Sequence, residues 1–128
     1  MRPVFHRFEA NGIRSWLQVD GRATARRIGD AIRALAIPVG EILSSEYCRA
    51  VETAEGLNLG PITTTPDIMN LRAAEFVGGR AAAIRRYQLI IAKPPKAGTN
   101  RVITAHGDLS RDATGVLSDE CELVSVWQ

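Results

Sequence analysis

The sequence predicts an α/β fold, a three-layer sandwich in which helices flank a mostly parallel sheet. Segments with helical periodicity alternate along the chain with short apolar runs, and this alternation is typical of parallel strands covered by helices. Two of the apolar runs, residues 41–45 (EILSS) and 101–107 (RVITAHG), end in polar residues or glycine. Parallel sheets bind ligands outside the carboxyl ends of their strands. Both runs are therefore expected to end in one crevice.

The first half of the chain predicts a helix, a strand and a second helix. Residues 21–36 predict the first helix, with Asp20 as its N-cap. One face of this helix is marked by apolar side chains at helical spacing, at Ala25, Ile28, Ile32 and Leu35. Residues 41–45 then form the strand, and residues 46–57 form the second helix. The inner face of the second helix is expected to comprise Ala50, Ala54 and Leu57.

The second half predicts two further helices and two further strands. Residues 60–67 indicate a short β-rich piece between two turns, and residues 66–79 carry no clear pattern. Residues 80–92 predict a helix whose inward side chains are Ile84, Tyr87 and Ile91. The remaining elements are the strand at 101–107, a short helix over 108–116 capped by Gly115, and a final strand at 122–128.

Length and composition indicate a single soluble domain spanning residues 1–128. The chain is 45% hydrophobic and 23% charged, which is ordinary for a globular protein. Its net charge of +2 is too small to indicate a nucleic-acid partner. No apolar run approaches the length of about 20 residues that a membrane span needs. We expect a cytoplasmic protein, or a periplasmic one if a signal segment was removed.

Three polar side chains are candidates for an anion site. Arg49 lies in the first turn of the second helix if Ser45 is its N-cap, and a helix N-terminus favours an anion. A guanidinium adds a bidentate contact. The alternative is a surface arginine paired with residues 52 or 53 of the same helix. His106 ends the strand at 101–107, where it either contacts a phosphoryl oxygen or is satisfied by backbone groups.

These segments resemble those of a known family. The stretch LSSEYCRAVETAE is similar to the Ser-Ser-x-x-x-Arg-Ala-x-x-Thr-Ala element of the histidine phosphatase (phosphoglycerate mutase-like) superfamily. The helix in LQVDGRATARRIGDAIRALAIPVGEI and the strand in RVITAHGD resemble the family's flanking elements, in the same order. The resemblance covers roughly residues 17–128, and it implies a phosphoglycerate mutase-like sandwich.

The resemblance also implies a chemistry, which is phosphoryl transfer through a phosphohistidine without a metal or other cofactor. In the family, two arginines and a second histidine surround the phosphoryl oxygens, and an acid protonates the leaving oxygen. Arg49 corresponds to the second arginine and His106 to the second histidine. Glu75 is the better-placed candidate for the acid, and Asp108 is the alternative. The implied substrate is a phosphate monoester or a phosphohistidine.

The nucleophile motif of the family, Arg-His-Gly, is missing. The other histidine of the chain is His6, and it precedes Arg7 instead of following it. A loose alignment places Arg7 on the motif arginine, where it would bind phosphate, and Phe8 on the nucleophile. Three explanations stay open: a lost first strand, a relative that binds phosphate esters without cleaving them, or His6 acting from a shifted register.

The strand that carries the nucleophile lies centrally in the family's sheet, and its loss would leave an unpaired edge. We therefore predict that Val4 and Phe5 enter the sheet, or that a second chain covers the edge as a homo-oligomer.

Other function classes fit the sequence less well. A zinc site can be written from His6, Cys48, His106 and Cys121, but the spacing matches no usual zinc pattern. Cys48 is expected to pack in the core. The arginines of the first helix alternate with an acid and indicate a solvated face. The expected partners are a small phosphorylated substrate or a phosphoprotein, and the main alternative is a non-catalytic binding or interaction module.

Overall fold

A computed structural model describes residues 4–8, 18–117 and 123–127 of the chain, with the backbone alone described for residues 4–8, 18–20 and 124–127. The elements in chain order are β1 (Val4–Phe8), α1 (Gln18–Ala34), β2 (Val39–Ser45), α2 (Cys48–Leu57), β3 (Ile62–Thr65), a 3₁₀ helix (Leu71–Val77), α3 (Arg80–Ala92), β4 (Asn100–Thr104), α4 (Gly107–Thr114) and β5 (Leu123–Trp127).

Three strands form an all-parallel sheet in the order β3-β2-β4. In its register Ile42 of β2 lies opposite Ile62 of β3 and Val102 of β4. Near the carboxyl end, Ser44 lies opposite Thr104. The predicted α/β fold with a mostly parallel sheet is confirmed, and the ends of β2 and β4 lie side by side.

Helices cover both faces of this sheet. The helix α2 packs on one face, and its buried side chains are the three predicted, Ala50, Ala54 and Leu57. The other face is covered by α3, α4 and the 3₁₀ helix, whose apolar side chains form the main core cluster. The cluster comprises Ile68, Met69, Leu71, Ala74, Ala83, Tyr87 and Leu109. Leu43 packs against this cluster, so its neighbour Ile42 faces α2 because side chains alternate along a strand.

The helices α1 and α2 approach each other unusually closely. A Cβ built on Gly29 would lie 2.0 Å from the carbonyl oxygen of Leu57, so a larger residue has no room there. The side chain of Arg33 donates to the carbonyl oxygens of Leu57 and Asn58, at 2.8 and 2.5 Å. This guanidinium satisfies carbonyl groups that the end of α2 leaves without helical partners. The contact fixes α2, and therefore its N-terminus, relative to α1.

Several predicted boundaries shift in the structure. Asp20 lies inside α1, which begins by Gln18, so it is not the N-cap. Leu35 lies beyond the end of α1 and is 71% exposed, so the prediction that it faces inward was wrong. The helix predicted over 80–92 is confirmed as α3. Residues 66–79, which carried no clear pattern, contain the 3₁₀ helix.

The first strand forms but pairs differently from the prediction. Val4 and Phe5 lie in β1, which pairs antiparallel with β5, so Val4 is opposite Trp127 and Phe5 is opposite Val126. The pair makes a two-stranded sheet separate from the parallel one. Within the described strands, β1 does not fill a slot in the parallel sheet. No described helix is both long enough and apolar enough to cross a lipid bilayer.

Candidate functional site

The carboxyl ends of β2 and β4 meet through a side-chain hydrogen bond. The Nε2 atom of His106 lies 2.8 Å from the Oγ atom of Ser45. Ser45 is fully buried and closes β2, whereas His106 precedes α4 and is half-buried. The parallel pairing of β2 with β4 places the two residues at one edge of the sheet. The structure thus brings together two of the residues that the sequence singled out.

The N-cap of α2 is Tyr47, not Ser45 as the sequence suggested. Ser45 Oγ instead accepts a hydrogen bond from the backbone N–H of Tyr47, at 3.3 Å, in the turn before the helix. The ring of Tyr47 packs against the imidazole of His106, with centroids 5.1 Å apart and planes at 84°. Tyr47 therefore contacts both partners of the hydrogen bond that joins the two strands.

The first turn of α2 has backbone N–H donors that are not hydrogen-bonded to any other described residue. The backbone N–H groups of Cys48 and Arg49 have no acceptor in the described part of the chain, since Ala50 and Val51 are the first to bond back to the carbonyl of Tyr47. A helix N-terminus with free N–H groups and a positive dipole end attracts anions.

The guanidinium of Arg49 is exposed, and it forms no hydrogen bond or ion pair with another described residue. The surface pairing weighed from the sequence is absent from the described residues. Glu52 pairs with Arg22 at 3.3 Å, and the Thr53 hydroxyl donates to the Arg49 backbone carbonyl at 2.9 Å. The positive charge of Arg49 is therefore available to bind an anion at the carboxyl end of the sheet.

The pKa of His106 is shifted by burial and by two neighbouring charges. Burial lowers the pKa of His106 below the ordinary histidine value of 6.5 because it disfavours the charged imidazolium. The negative charge of Asp108 acts in the opposite direction, and the positive charge of Arg49 lowers the pKa further. The influence of Arg49 shows that the two groups share one electrostatic environment. Burial therefore favours the neutral form of the imidazole.

The two candidate acids have different surroundings. Both carboxylate oxygens of Asp108 accept backbone hydrogen bonds, from Leu71 N–H at 3.1 Å and from Leu109 N–H at 2.7 Å. These bonds tie the start of the 3₁₀ helix to the start of α4, so Asp108 is a structural anchor. Glu75 lies on the 3₁₀ helix with an exposed side chain that has no hydrogen-bond or ion-pair partner among the described residues.

Other predicted residues lie elsewhere or outside the description. His6 and Arg7 lie in β1, opposite Ser125 and Val124, but their side chains are outside the described residues. Cys121 also lies outside them. Cys48 is exposed, so the prediction that it packs in the core was wrong.

No group of three or more potential metal ligands occurs in the described part of the chain.

Sequence reasoning missed two features of this edge of the sheet. Tyr47 lies inside the SSEYCRA stretch, but its contact with His106 joins segments that are far apart in the chain. Thr104, the last residue of β4, has a buried hydroxyl oxygen without a hydrogen-bond partner among the described residues. A buried polar atom at the end of a strand could not be recognised from the sequence, because threonine is also a common strand residue.

Comparison with known proteins identifies one family. The sequence model of the histidine phosphatase superfamily (branch 1) matches residues 11–111. The matched segment contains Ser45, Arg49, Glu75 and His106, and it begins after His6 and Arg7. No individual curated protein matches the chain.

Proposed function

Because the chain belongs to the histidine phosphatase superfamily, we propose that it is a phosphatase-like protein that binds phosphate monoesters at the pocket of Ser45, Arg49 and His106. One observation carries the proposal. The guanidinium of Arg49 and the backbone N–H groups of Cys48 and Arg49 have no partner among the described residues, and they lie at the carboxyl end of the parallel sheet. The charge of Arg49 acts there on His106, whose imidazole is hydrogen-bonded to Ser45. These groups supply the positive charge and the N–H donors that the oxygens of a phosphoryl group accept.

Each group has a distinct part in binding. The guanidinium of Arg49 can donate two parallel hydrogen bonds to phosphoryl oxygens. The N–H groups of Cys48 and Arg49 add contacts aligned with the dipole of α2. His106 takes up a proton when the dianion binds, because a nearby negative charge stabilises the imidazolium. Ser45 holds the imidazole at the end of β4 through the 2.8 Å contact.

Hydrolysis would require a nucleophile in addition to these donors. In the chemistry of the family, an imidazole nitrogen forms a bond to phosphorus while the bond to the leaving oxygen breaks, and an acid gives that oxygen a proton. Water then attacks the phosphohistidine, which releases phosphate and restores the imidazole. His6 is the candidate nucleophile of this chain. Glu75 is the candidate acid, since the carboxylate of Asp108 is held by two backbone amides.

The second candidate function is binding without turnover. It is favoured by a specific observation, which is that two of the candidate catalytic side chains, His106 and Asp108, are already engaged in hydrogen bonds within the protein. The imidazole of His106 bonds to Ser45, and Asp108 bonds to the amides of Leu71 and Leu109. A protein with this pocket and without an active His6 would recognise a small phosphorylated molecule or a phosphoprotein and leave it intact.

Two measurements test these functions. The first is binding of inorganic phosphate, by calorimetry, to the wild-type chain and to the Arg49→Met and Arg85→Met variants. Arg85 is the matched control, because it is also exposed and has no ion pair in the described part of the chain. We expect Arg49→Met to weaken binding about tenfold or more, the size of a charge-assisted hydrogen bond, and Arg85→Met to leave binding unchanged. Equal effects, or no binding by the wild type, would contradict the proposal.

The second measurement is metal-free hydrolysis of a generic aryl phosphate by the wild type and by His6→Ala. Turnover that His6→Ala abolishes identifies a phosphatase with His6 as nucleophile. Phosphate binding without turnover in either protein identifies the non-catalytic function.

A further inference from the structure

We propose that Tyr47 determines specificity, and that its exposed ring binds the esterified group of an aromatic phosphate ester. The inference rests on the proposed function, since it assigns the organic part of a ligand whose phosphoryl group is held by Arg49 and His106. It names a substrate class, aryl phosphates, and the residue that recognises it.

The position of the ring supports this role. One part of the Tyr47 ring contacts the imidazole of His106, at a centroid distance of 5.1 Å. Tyr47 is nevertheless 47% exposed, so part of the residue faces solvent beside His106. A phosphoryl group that accepts a hydrogen bond from His106 places its ester oxygen, and the group attached to it, beside that exposed surface.

The local sequence preference at this position is also broken. An N-cap is normally Ser, Thr, Asp or Asn, and the loss of such a cap costs about 1 kcal/mol. Tyr47 occupies the N-cap of α2 and makes no side-chain capping bond. Positions where a local preference is violated are expected to be functional or strained sites. Tyr47 supplies no capping hydrogen bond, but its ring provides an aromatic surface next to His106.

The chemistry of the ring indicates an aromatic partner. Aromatic rings prefer offset-stacked or edge-to-face contacts with one another, and they gain more from such contacts than from the buried area alone. The charged and polar donors of the pocket, Arg49 and the helix N-terminus, are needed for the phosphoryl oxygens. The Tyr47 ring is therefore the group left for the organic part of the ligand.

The test compares phenylphosphonate with methylphosphonate, measured by calorimetry at a pH where both are dianions. The two ligands carry the same anionic group, and their carbon–phosphorus bond is not hydrolysed. We expect the wild type to bind phenylphosphonate about fivefold more tightly, the size of one aromatic contact. Tyr47→Phe should keep this ratio, because it keeps the ring. Tyr47→Leu should bring the ratio close to one.

The matched control is Leu35→Ala, which removes another exposed apolar side chain at the opposite end of the sheet and should keep the ratio. A wild type that binds both ligands equally, or a Tyr47→Leu variant that keeps the preference, overturns the inference while the phosphate site stands. Loss of the ratio in Tyr47→Phe also overturns it, because the hydroxyl would then be the recognising group. Binding of neither ligand overturns the proposed function itself, and the inference with it.

Discussion

Ser45 Oγ and His106 Nε2 lie 2.8 Å apart, and their contact joins the carboxyl ends of two parallel strands. The serine hydroxyl also accepts the backbone N–H of Tyr47, so one buried oxygen connects β2, the start of α2 and the residue before α4. The geometry of the proposed phosphate pocket depends on this oxygen.

Replacement of Ser45 by alanine should loosen the pocket. Both hydrogen bonds to its hydroxyl are lost, so we expect the free energy of unfolding to fall by about 1–2 kcal/mol and phosphate affinity to fall several-fold. Urea denaturation and calorimetry measure the two effects. Ser110→Ala is the control, since its hydroxyl contacts Tyr87 at 3.4 Å outside the pocket. It should cost stability with no change in affinity, and an equal loss of affinity in both variants would contradict the role of Ser45.

Anion binding should strengthen as the pH falls. Burial lowers the pKa of His106 in the free protein, and a bound dianion raises that pKa, so binding is coupled to uptake of a proton. Sulfate is the suitable probe because it remains a dianion across this range. Its affinity should increase as the pH falls through the ordinary histidine range, and calorimetry in buffers of different ionisation enthalpy should show proton uptake. His106→Gln should bind sulfate with a flatter pH dependence; an unchanged dependence would exclude His106 as the group that takes up the proton.

Stability should show the opposite trend with pH. The folded-state pKa of His106 lies below its unfolded value, so the unfolded chain binds more protons in the window between the two. The contribution of His106 to stability is therefore present above the unfolded pKa of about 6.5, and it is lost as the pH falls toward the folded value. Denaturation of the wild type and His106→Gln over this range should show a steeper acid loss in the wild type.

Asp108→Asn should affect both stability and the imidazole. An amide accepts the N–H groups of Leu71 and Leu109 less well than a carboxylate, so we expect a loss of about 1–2 kcal/mol. The negative charge of Asp108 raises the pKa of His106, so its removal should lower that pKa further. NMR titration of His106 measures the shift. Glu75→Gln is the control, and it should leave both the stability and the titration unchanged.

Gly29→Ala should destabilise the contact between α1 and α2. The new methyl group would lie 2.0 Å from the carbonyl oxygen of Leu57, so the helices must separate, at a cost of about 1–3 kcal/mol. Thermal denaturation measures the change. Gly107→Ala is the matched control, because a methyl group there meets nothing within 4 Å. Stability of Gly29→Ala equal to that of the wild type would show that the two helices separate without cost.

Local patterns in the sequence were sufficient to predict much of the fold. The inner face of α2 was predicted from the spacing of Ala50, Ala54 and Leu57, and the bounds of α3 were predicted because helical periodicity is a local property. Ser45 and His106 were placed at one edge of the sheet for a similar reason, since polar residues that end parallel strands converge there.

Contacts between distant segments were not predictable in this way. The Leu71 N–H bond to Asp108 spans 37 positions in the chain, and no pattern around either residue indicates it. Leu35 is 71% exposed although its N–H still bonds to the carbonyl of Ala31, so helical spacing alone did not show which side chains of the last turn are covered.

The sequence by itself determined the order of the α-helices and strands and the buried face of α2, and it singled out Ser45, Arg49 and His106 as candidate site residues. The tertiary structure decided which of these side chains meet, which ones have no partner among the described residues, and that Tyr47 rather than Ser45 is the N-cap of α2. The physical reason is that periodicity and turn residues act over a few positions, whereas hydrogen bonds and ring contacts between strand ends depend on the packing of the whole chain.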